Sequence, residues 1–129
     1  MASILLVEDD RQNYEMMMRR LERRDYDVEL ATDGEEAVEK AQDFHPALIL
    51  MDIKLPKQDG LKATRQIRQF PSGTGQVPVI ALTAHAMTED EDEALRAGCD
   101  DYHAKPVSFS KLVHQMDRLL ENSLKPQSA

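Results

Sequence analysis

The chain contains a single cysteine, Cys99, so no disulfide can form within it. Unpaired cysteine is typical of a reducing compartment, and we therefore expect a cytoplasmic location. The chain also lacks any apolar run approaching the roughly 20 residues that a membrane-spanning helix requires. A strand-like segment begins at residue 3, which leaves no room for a signal peptide. These absences predict a soluble intracellular protein.

Basic charge is also scarce, since 16 Lys and Arg residues face 24 Asp and Glu residues and the formal net charge is −8. Direct binding of nucleic acid requires clustered basic side chains that neutralise phosphates. The basic residues here are scattered, apart from the stretch 19–24. We therefore expect no direct contact with nucleic acid. The 129 residues suit one domain, predicted at residues 1–122, with a disordered tail at 123–129.

Short apolar runs alternate with amphipathic stretches along the chain. The runs predict five strands, at residues 3–7, 27–31, 47–51, 77–82 and 99–104. Helical periodicity and capping residues predict helices at 11–24, 34–44, 61–69, 89–97 and 109–122, while residues 71–76 are predicted as a loop. Such alternation predicts an α/β fold in which helices cover both faces of a parallel sheet.

Charged residues follow three of these strands. Glu8, Asp9 and Asp10 come after the first strand, Asp52 after the third and Lys105 after the fifth. Ligands of open α/β sheets bind at the carboxyl ends of the strands, so these side chains predict a divalent-metal site with a counter-cation. The same acids could instead only cap the first helix or lie solvated at a strand end.

Five short motifs, in this order, carry a resemblance to a known family. They are Val7-Glu8-Asp9-Asp10, Met51-Asp52, Pro56 with Asp59-Gly60, Ala81-Leu82-Thr83-Ala84, and Lys105-Pro106. From about residue 3 to residue 120, the chain resembles a response regulator receiver domain, the phosphoacceptor module of two-component signalling. The resemblance implies a flavodoxin-like, doubly wound (βα)5 fold with five parallel strands in the order 2-1-3-4-5.

The resemblance also implies a phosphorylation site that uses Mg²⁺. Asp52 matches the aspartate that accepts the phosphoryl group and that also binds the metal. Asp9 matches the direct Mg²⁺ ligand, and Glu8 the acid that acts through water. Lys54 stands where the family supplies a backbone carbonyl to the metal. Carboxylate and carbonyl oxygens are ligands that Mg²⁺ prefers.

Three further residues match the family's catalytic and switch positions. Thr83 matches the hydroxyl residue that hydrogen-bonds the phosphoryl group, and Lys105 matches the lysine that pairs with a phosphoryl oxygen. The resemblance implies a cis bond between Lys105 and Pro106. Tyr102 matches the aromatic residue whose rotation reports phosphorylation, although it could be only a half-buried strand aromatic.

We therefore expect a stand-alone single-domain response regulator that is not an enzyme beyond its own phosphorylation and dephosphorylation. Its expected partners are a histidine kinase or a histidine phosphotransfer protein, and a downstream protein target. An alternative is a Mg²⁺-dependent phosphatase that forms an aspartyl phosphate. That class places a second aspartate two residues after the nucleophile, where this chain has Lys54. A flavodoxin-like nucleotide or flavin binder would need a phosphate-binding loop, which residues 72–75 do not form because a strand follows them.

Overall fold

A computed structural model of the chain describes residues 2–55, 59–83 and 88–124. Strands β1 to β5 comprise Ser3–Val7, Asp27–Ala31, Leu48–Asp52, Val79–Thr83 and Asp101–Ala104. Helices α1 to α5 comprise Arg11–Arg23, Gly34–Phe44, Gly60–Arg68, Thr88–Ala97 and Phe109–Leu124. The strands pair in parallel in the order β2-β1-β3-β4-β5, which confirms the predicted doubly wound topology.

Strand ends differ from the prediction where pairing with a neighbouring strand decides them. Strand β3 continues to Asp52, because that residue pairs with Leu82 of β4. Strand β4 begins at Val79 and not at residue 77, because Pro78 has no N–H to donate, although its carbonyl accepts a hydrogen bond from the Ile49 N–H at 2.9 Å. Strand β5 begins two residues later than predicted, at Asp101. An apolar run in the sequence cannot show where a partner strand stops.

One connecting segment and the end of the last helix also differ from the prediction. Ser72–Gln76, predicted as a loop, forms a 3₁₀ helix. Helix α5 continues to Leu124, two residues into the predicted tail. The remaining tail residues 125–129 lie outside the described residues, as do Pro56 and Ala84 of the sequence motifs.

Side chains that alternate along the central strands fill a hydrophobic core on each face of the sheet. Ile4 and Leu6 of β1 are buried in one core, where they pack with side chains of α1 and α5. Leu5 and Val7 are buried in the other core, with side chains of α2, α3 and α4. A strand buried on both faces must be apolar at every position, which explains the uninterrupted apolar runs. No helix in the described ranges is long and apolar enough to cross a membrane.

Aspartates cap three helices where they leave the carboxyl edge of the sheet. The carboxylates of Asp10, Asp33 and Asp59 accept hydrogen bonds from backbone N–H groups at the starts of α1, α2 and α3. Asp33 and Glu36 form a reciprocal cap, in which Asp33 accepts from the Glu36 N–H at 2.8 Å. The Glu36 carboxylate in turn accepts from the Thr32 N–H at 2.8 Å. Three of the chain's acidic residues therefore stabilise helix starts.

Cys99 is a buried core residue, and its side chain lies against Thr64. Burial raises the pKa of its thiol to about 11. Only the thiolate is nucleophilic, so we expect no alkylation of the native protein by iodoacetamide at pH 8 and complete alkylation after unfolding in urea. Intact mass spectrometry would measure both. Rapid alkylation of the native protein at that pH would contradict the buried position.

Candidate functional site

Strand register places the predicted site residues at one edge of the sheet. Val7 of β1 pairs with Met51 of β3, so the residues that follow them, Glu8 and Asp52, lie side by side. Asp52 pairs in turn with Leu82 of β4, and Thr83 is the next residue on that strand. Parallel strands end at the same edge, and three distant segments of the chain therefore meet there.

Three acidic side chains at this edge form a cluster that fits a divalent cation. One carboxylate oxygen from each of Glu8, Asp9 and Asp52 lies within 4.8 Å of the others. Glu8 and Asp52 are buried, whereas Asp9 is exposed and lies on the solvent side of the cluster. An all-oxygen set with one open side suits Mg²⁺, which keeps several of its water ligands. No other cluster of three or more potential metal-binding acids, histidines or cysteines occurs in residues 2–55, 59–83 and 88–124.

Lys105 supplies the positive charge of the site. Its ammonium Nζ donates to Glu8 Oε1 at 2.9 Å and to Asp52 Oδ2 at 3.0 Å. Burial disfavours the charged ammonium, but hydrogen bonds with the two carboxylates and their charges outweigh burial and raise the pKa of Lys105. The Lys105 N–H donates to the Thr83 carbonyl at 2.7 Å, and the bond from Lys105 to Pro106 is cis, as predicted. Lys105 therefore bridges the two buried acids.

Glu8 is the most deeply buried acid of the cluster, with only 1% of its surface exposed. Burial raises its pKa, and the adjacent Asp52 raises it further, while Lys105 acts in the opposite direction. Its second oxygen, Oε2, accepts from the Asp10 N–H at 3.2 Å. The pocket therefore favours cations, because it holds two carboxylates close together in a site of low solvent exposure.

The segment after β3 fixes the backbone around Asp52. The Lys54 N–H donates to Asp52 Oδ1 at 3.1 Å, and the Gly60 N–H donates to the Ile53 carbonyl at 2.7 Å. Gly60 lies so close to the Asp52 backbone that a Cβ added at Gly60 would be 2.1 Å from the Asp52 carbonyl oxygen. This close approach explains the glycine of the Asp59-Gly60 motif, because no side chain fits there.

Thr83 and Tyr102 occupy different surroundings. Thr83 is buried at the end of β4, beside the pairing partner of Asp52. Tyr102 lies on β5, half-buried against the core that contains α4. A hydrogen bond with Glu91 of α4 and the charge of that carboxylate raise the pKa of the Tyr102 phenol. Thr83 therefore belongs to the acidic edge, whereas Tyr102 links β5 to α4.

A comparison with known proteins agrees with this geometry. The sequence profile described as the response regulator receiver domain matches residues 4–117. The chain belongs to the response regulator receiver domain family. The match covers every site residue named above, and the family is the one that the five sequence motifs indicate. Receiver domains of this family belong to two-component signalling systems.

Individual relatives are proteins much longer than this chain. The chain is 39% identical over 127 residues to the response regulator MprA of Mycobacterium tuberculosis (strain H37Rv), which covers 98% of the chain and 53% of MprA. It is 41% identical over 110 residues to the signal transduction histidine-protein kinase BarA of Escherichia coli (strain K12), which covers 85% of the chain and 12% of BarA. The chain thus spans about half of one relative and a small part of the other.

A solved structure shows the same fold with a metal in the corresponding cleft. The receiver domain of the sensor histidine kinase PA1611 from Pseudomonas aeruginosa PAO1 is 40% identical in sequence, with a TM-score of 0.86 over 93% of this chain and 98% of that one. That crystal structure has a magnesium ion coordinated in its active-site cleft. The acidic cluster of the present receiver domain is therefore compatible with Mg²⁺.

Three polar partners in this receiver domain were not identified from the sequence. They are Glu91, which contacts Tyr102, and the pair His103 and Gln115, whose side chains contact each other across β5 and α5. A histidine at a strand position between apolar neighbours was the available signal, because a buried imidazole needs hydrogen-bond partners. The partners of His103 are a glutamine side chain and a backbone N–H.

Replacing Lys105 by Met should lower the free energy of unfolding by about 2 kcal/mol in metal-free buffer, because Glu8 and Asp52 would lose their shared cation while they stay buried. Urea denaturation with EDTA present would measure the loss. Added Mg²⁺ should restore more stability to Lys105→Met than to the unaltered protein, since the ammonium no longer competes for the carboxylates. The exposed Lys62 gives a control, and Lys62→Met should change the free energy by less than about 0.5 kcal/mol. Equal losses in the two variants would contradict the bridging role.

Proposed function

We propose that this receiver domain accepts a phosphoryl group on Asp52 from a phosphohistidine and thereby switches its interactions with other proteins. One observation carries the proposal: the Lys105 ammonium joins Asp52 to Glu8 in a pocket that also contains Asp9. This arrangement combines a carboxylate nucleophile, a cation site and a fixed positive charge. Phosphoryl transfer mainly requires positioning of the reactants and stabilisation of charge, and these are the groups that provide it.

Each residue has a distinct role in the proposed reaction. A carboxylate oxygen of Asp52 forms a bond to phosphorus while the bond from phosphorus to the histidine nitrogen breaks, and the imidazole leaves with the electron pair. Lys105 then pairs with a phosphoryl oxygen, to which Thr83 donates a hydrogen bond. Both groups stabilise negative charge that would otherwise be repelled by the acidic cluster.

The residues that would hold Mg²⁺ are Asp9 and Asp52 through their carboxylates, Lys54 through its backbone carbonyl and Glu8 through water. Bound Mg²⁺ would supply positive charge that offsets the repulsion between the phosphoryl group and the pocket. The buried position of Glu8, already engaged by Lys105 and the Asp10 N–H, fits an indirect role for that residue.

The proposed phosphodonor is a histidine kinase or a histidine phosphotransfer protein in the cytoplasm, and the proposed output is a protein target. Support comes from BarA, a histidine-protein kinase that contains a segment similar to this chain. We further propose that Thr83 and Tyr102 transmit phosphorylation to the surface. The contact between Tyr102 and Glu91 gives that signal a route from β5 to α4.

We also propose that the protein has no turnover reaction beyond its own phosphorylation and dephosphorylation. In the alternative, an aspartyl-phosphate phosphatase, a second acid two residues after Asp52 would protonate the leaving group. Lys54 stands there, and its N–H donates to Asp52. A lysine at this position leaves the phosphatase reaction without the carboxylic acid that would protonate the leaving group.

The test is incubation with acetyl phosphate, with Mg²⁺ or with EDTA, followed by intact mass spectrometry. We expect one added phosphoryl group with Mg²⁺ and none with EDTA, and the adduct should be labile to base, as acyl phosphates are. Absence of any adduct with Mg²⁺ would overturn the proposal. Continuous release of phosphate from a phosphate monoester such as p-nitrophenyl phosphate would favour the phosphatase instead.

A further inference from the structure

The buried His103 has no role in the proposed reaction, although it lies close to Lys105 in the sequence. His103 is on β5 with only 7% of its surface exposed, two residues before Lys105. Its neighbours on the strand are Tyr102 and Ala104. An aliphatic side chain would fill the same space without a need for hydrogen bonds, whereas a buried imidazole is stable only when both ring nitrogens have partners. The hydrogen-bond partners of His103 therefore show which parts of the structure it holds together.

Both ring nitrogens of His103 have hydrogen-bond partners. One of them contacts Ser108, which ends the short loop 105–108, called here the Lys105 loop. The Ser108 N–H donates to His103 Nε2 at 3.1 Å, so this nitrogen carries no proton. The other nitrogen, Nδ1, lies 2.7 Å from Gln115 Oε1, which accepts its hydrogen. The imidazole thus connects its own strand to the start and to the second turn of α5.

Gln115 completes the connection to β5. Its amide nitrogen Nε2 donates to the Tyr102 carbonyl at 2.8 Å and to Asp101 Oδ2 at 3.0 Å. Strand β5 lies at the edge of the sheet, so the Tyr102 carbonyl is satisfied by α5 and not by another strand. His103 and Gln115 together hold α5 against the edge strand through four hydrogen bonds.

The Lys105 loop is held at both ends, and its conformation determines the direction of the Lys105 side chain. At its start, the Lys105 N–H donates to the Thr83 carbonyl at 2.7 Å. At its end, the Ser108 N–H is bound to His103, and the Ser108 carbonyl accepts from Leu112 in α5 at 2.9 Å. Only Pro106 and Val107 lie between the two anchored residues. A loop this short transmits any displacement of its far end to Lys105.

We propose that His103, together with Gln115, is a positioning residue for phosphoryl transfer, because it fixes the loop that directs Lys105 toward Asp52. The inference rests on the proposed function and adds to it a residue pair that contacts neither metal nor phosphoryl group. Lys105 must approach a phosphoryl oxygen within hydrogen-bond distance, and errors of about 1 Å in such positioning can lower a rate up to about a hundredfold. His103 acts on the reaction through Lys105.

Two substitutions separate the hydrogen bonds of His103 from its volume. His103→Leu introduces an apolar side chain of similar size and removes both hydrogen bonds of the imidazole. His103→Gln places an amide oxygen near the position of Nε2 and keeps an acceptor for Ser108. We expect the rate of phosphorylation by acetyl phosphate to fall about tenfold in His103→Leu and to stay within about threefold of the unaltered protein in His103→Gln.

Two further measurements distinguish positioning from a general loss of stability. Hydrogen exchange at the Lys105 and Ser108 amides should become faster in His103→Leu, while Mg²⁺ affinity, measured by calorimetry, should change less than twofold because the acidic cluster is intact. Leu119→Ala is the matched control, since this half-buried residue packs against the core about three helical turns after Ser108. It should lower stability without lowering the phosphorylation rate. Gln115→Met, which keeps the side-chain length, should slow phosphorylation in the same direction as His103→Leu.

The outcomes separate the two proposals. A folded His103→Leu protein that is phosphorylated at the unaltered rate, or whose Lys105 amide exchanges no faster, overturns the positioning role. Equal slowing in His103→Gln, His103→Leu and Leu119→Ala also overturns it, because stability alone would then explain the rates. If His103→Leu does not fold, Gln115→Met takes its place, and an unaltered phosphorylation rate in that folded variant overturns the positioning role. Slowing of His103→Gln to the same extent as Gln115→Met and Leu119→Ala overturns it as well. Failure of the unaltered protein to accept a phosphoryl group overturns the proposed function, and the role of His103 in phosphoryl transfer with it.

Discussion

Asp52→Asn is expected to abolish phosphorylation by acetyl phosphate, with a rate reduced by more than about a thousandfold. The neutral amide offers no anionic oxygen to attack phosphorus and is a weaker ligand for a hard cation. The fold should persist, because the amide oxygen of Asn can still accept the Lys54 N–H that Asp52 Oδ1 accepts at 3.1 Å. Intact mass spectrometry after incubation with Mg²⁺ and acetyl phosphate measures the difference.

A matched control for this variant is Asp59→Asn. Asp59 caps α3 through the Lys62 N–H at 2.8 Å, and Asn caps helices about as well as Asp does. Asp59→Asn removes one negative charge close to the site in sequence without removing the proposed nucleophile, and its phosphorylation should match that of the unaltered protein. An adduct of unchanged yield on Asp52→Asn would show that another residue accepts the phosphoryl group.

Gly60→Ala should cost about 3 kcal/mol of unfolding free energy. The added methyl group would lie 2.1 Å from the Asp52 carbonyl oxygen and 2.9 Å from the Ile53 Cα, and both are backbone atoms that cannot rotate away. The segment after β3 must then move, so phosphorylation of Asp52 should also slow. Urea denaturation gives the stability change, and the acetyl phosphate assay gives the rate.

Gly73 provides the control for this substitution. A Cβ at Gly73 would meet no atom within 4 Å, so Gly73→Ala should change stability by less than about 0.5 kcal/mol. The two variants make the same chemical change and differ in the space available. Similar stabilities of the two variants would refute the close approach of Gly60 to the Asp52 backbone.

The sequence predicted the residues of the acidic edge because the reason for their proximity is general. Glu8 and Asp52 each stand at or directly after the end of an apolar run, and parallel strands end at one edge. The strand order and the role of Thr83 were implied only by the resemblance to the receiver family. The same reasoning placed Lys105 after β5 but could not show that its ammonium would bridge Glu8 and Asp52, since a long side chain has many directions available.

Contacts that depend on which face of a helix packs on the sheet were not predictable in this way. The rotation of α4 about its axis brings Glu91 to Tyr102. The rotation of α5 about its axis brings Gln115 to His103. Amphipathic periodicity indicates the buried stripe of a helix but not the few degrees that decide a hydrogen bond at its margin. The last two residues of α5 and the 3₁₀ helix at Ser72–Gln76 were also not predicted.

Alternating apolar and amphipathic segments, which can be recognised without coordinates, were enough to determine the parallel sheet, its two helical layers and the edge at which the acids collect. That is because strand burial and chain direction are properties of local sequence patterns. Only the tertiary structure decided that Gly60 lies against the Asp52 backbone and that His103 and Gln115 anchor the Lys105 loop. Those contacts join distant segments at separations of a few ångströms, and such distances are set by the packing of the whole domain.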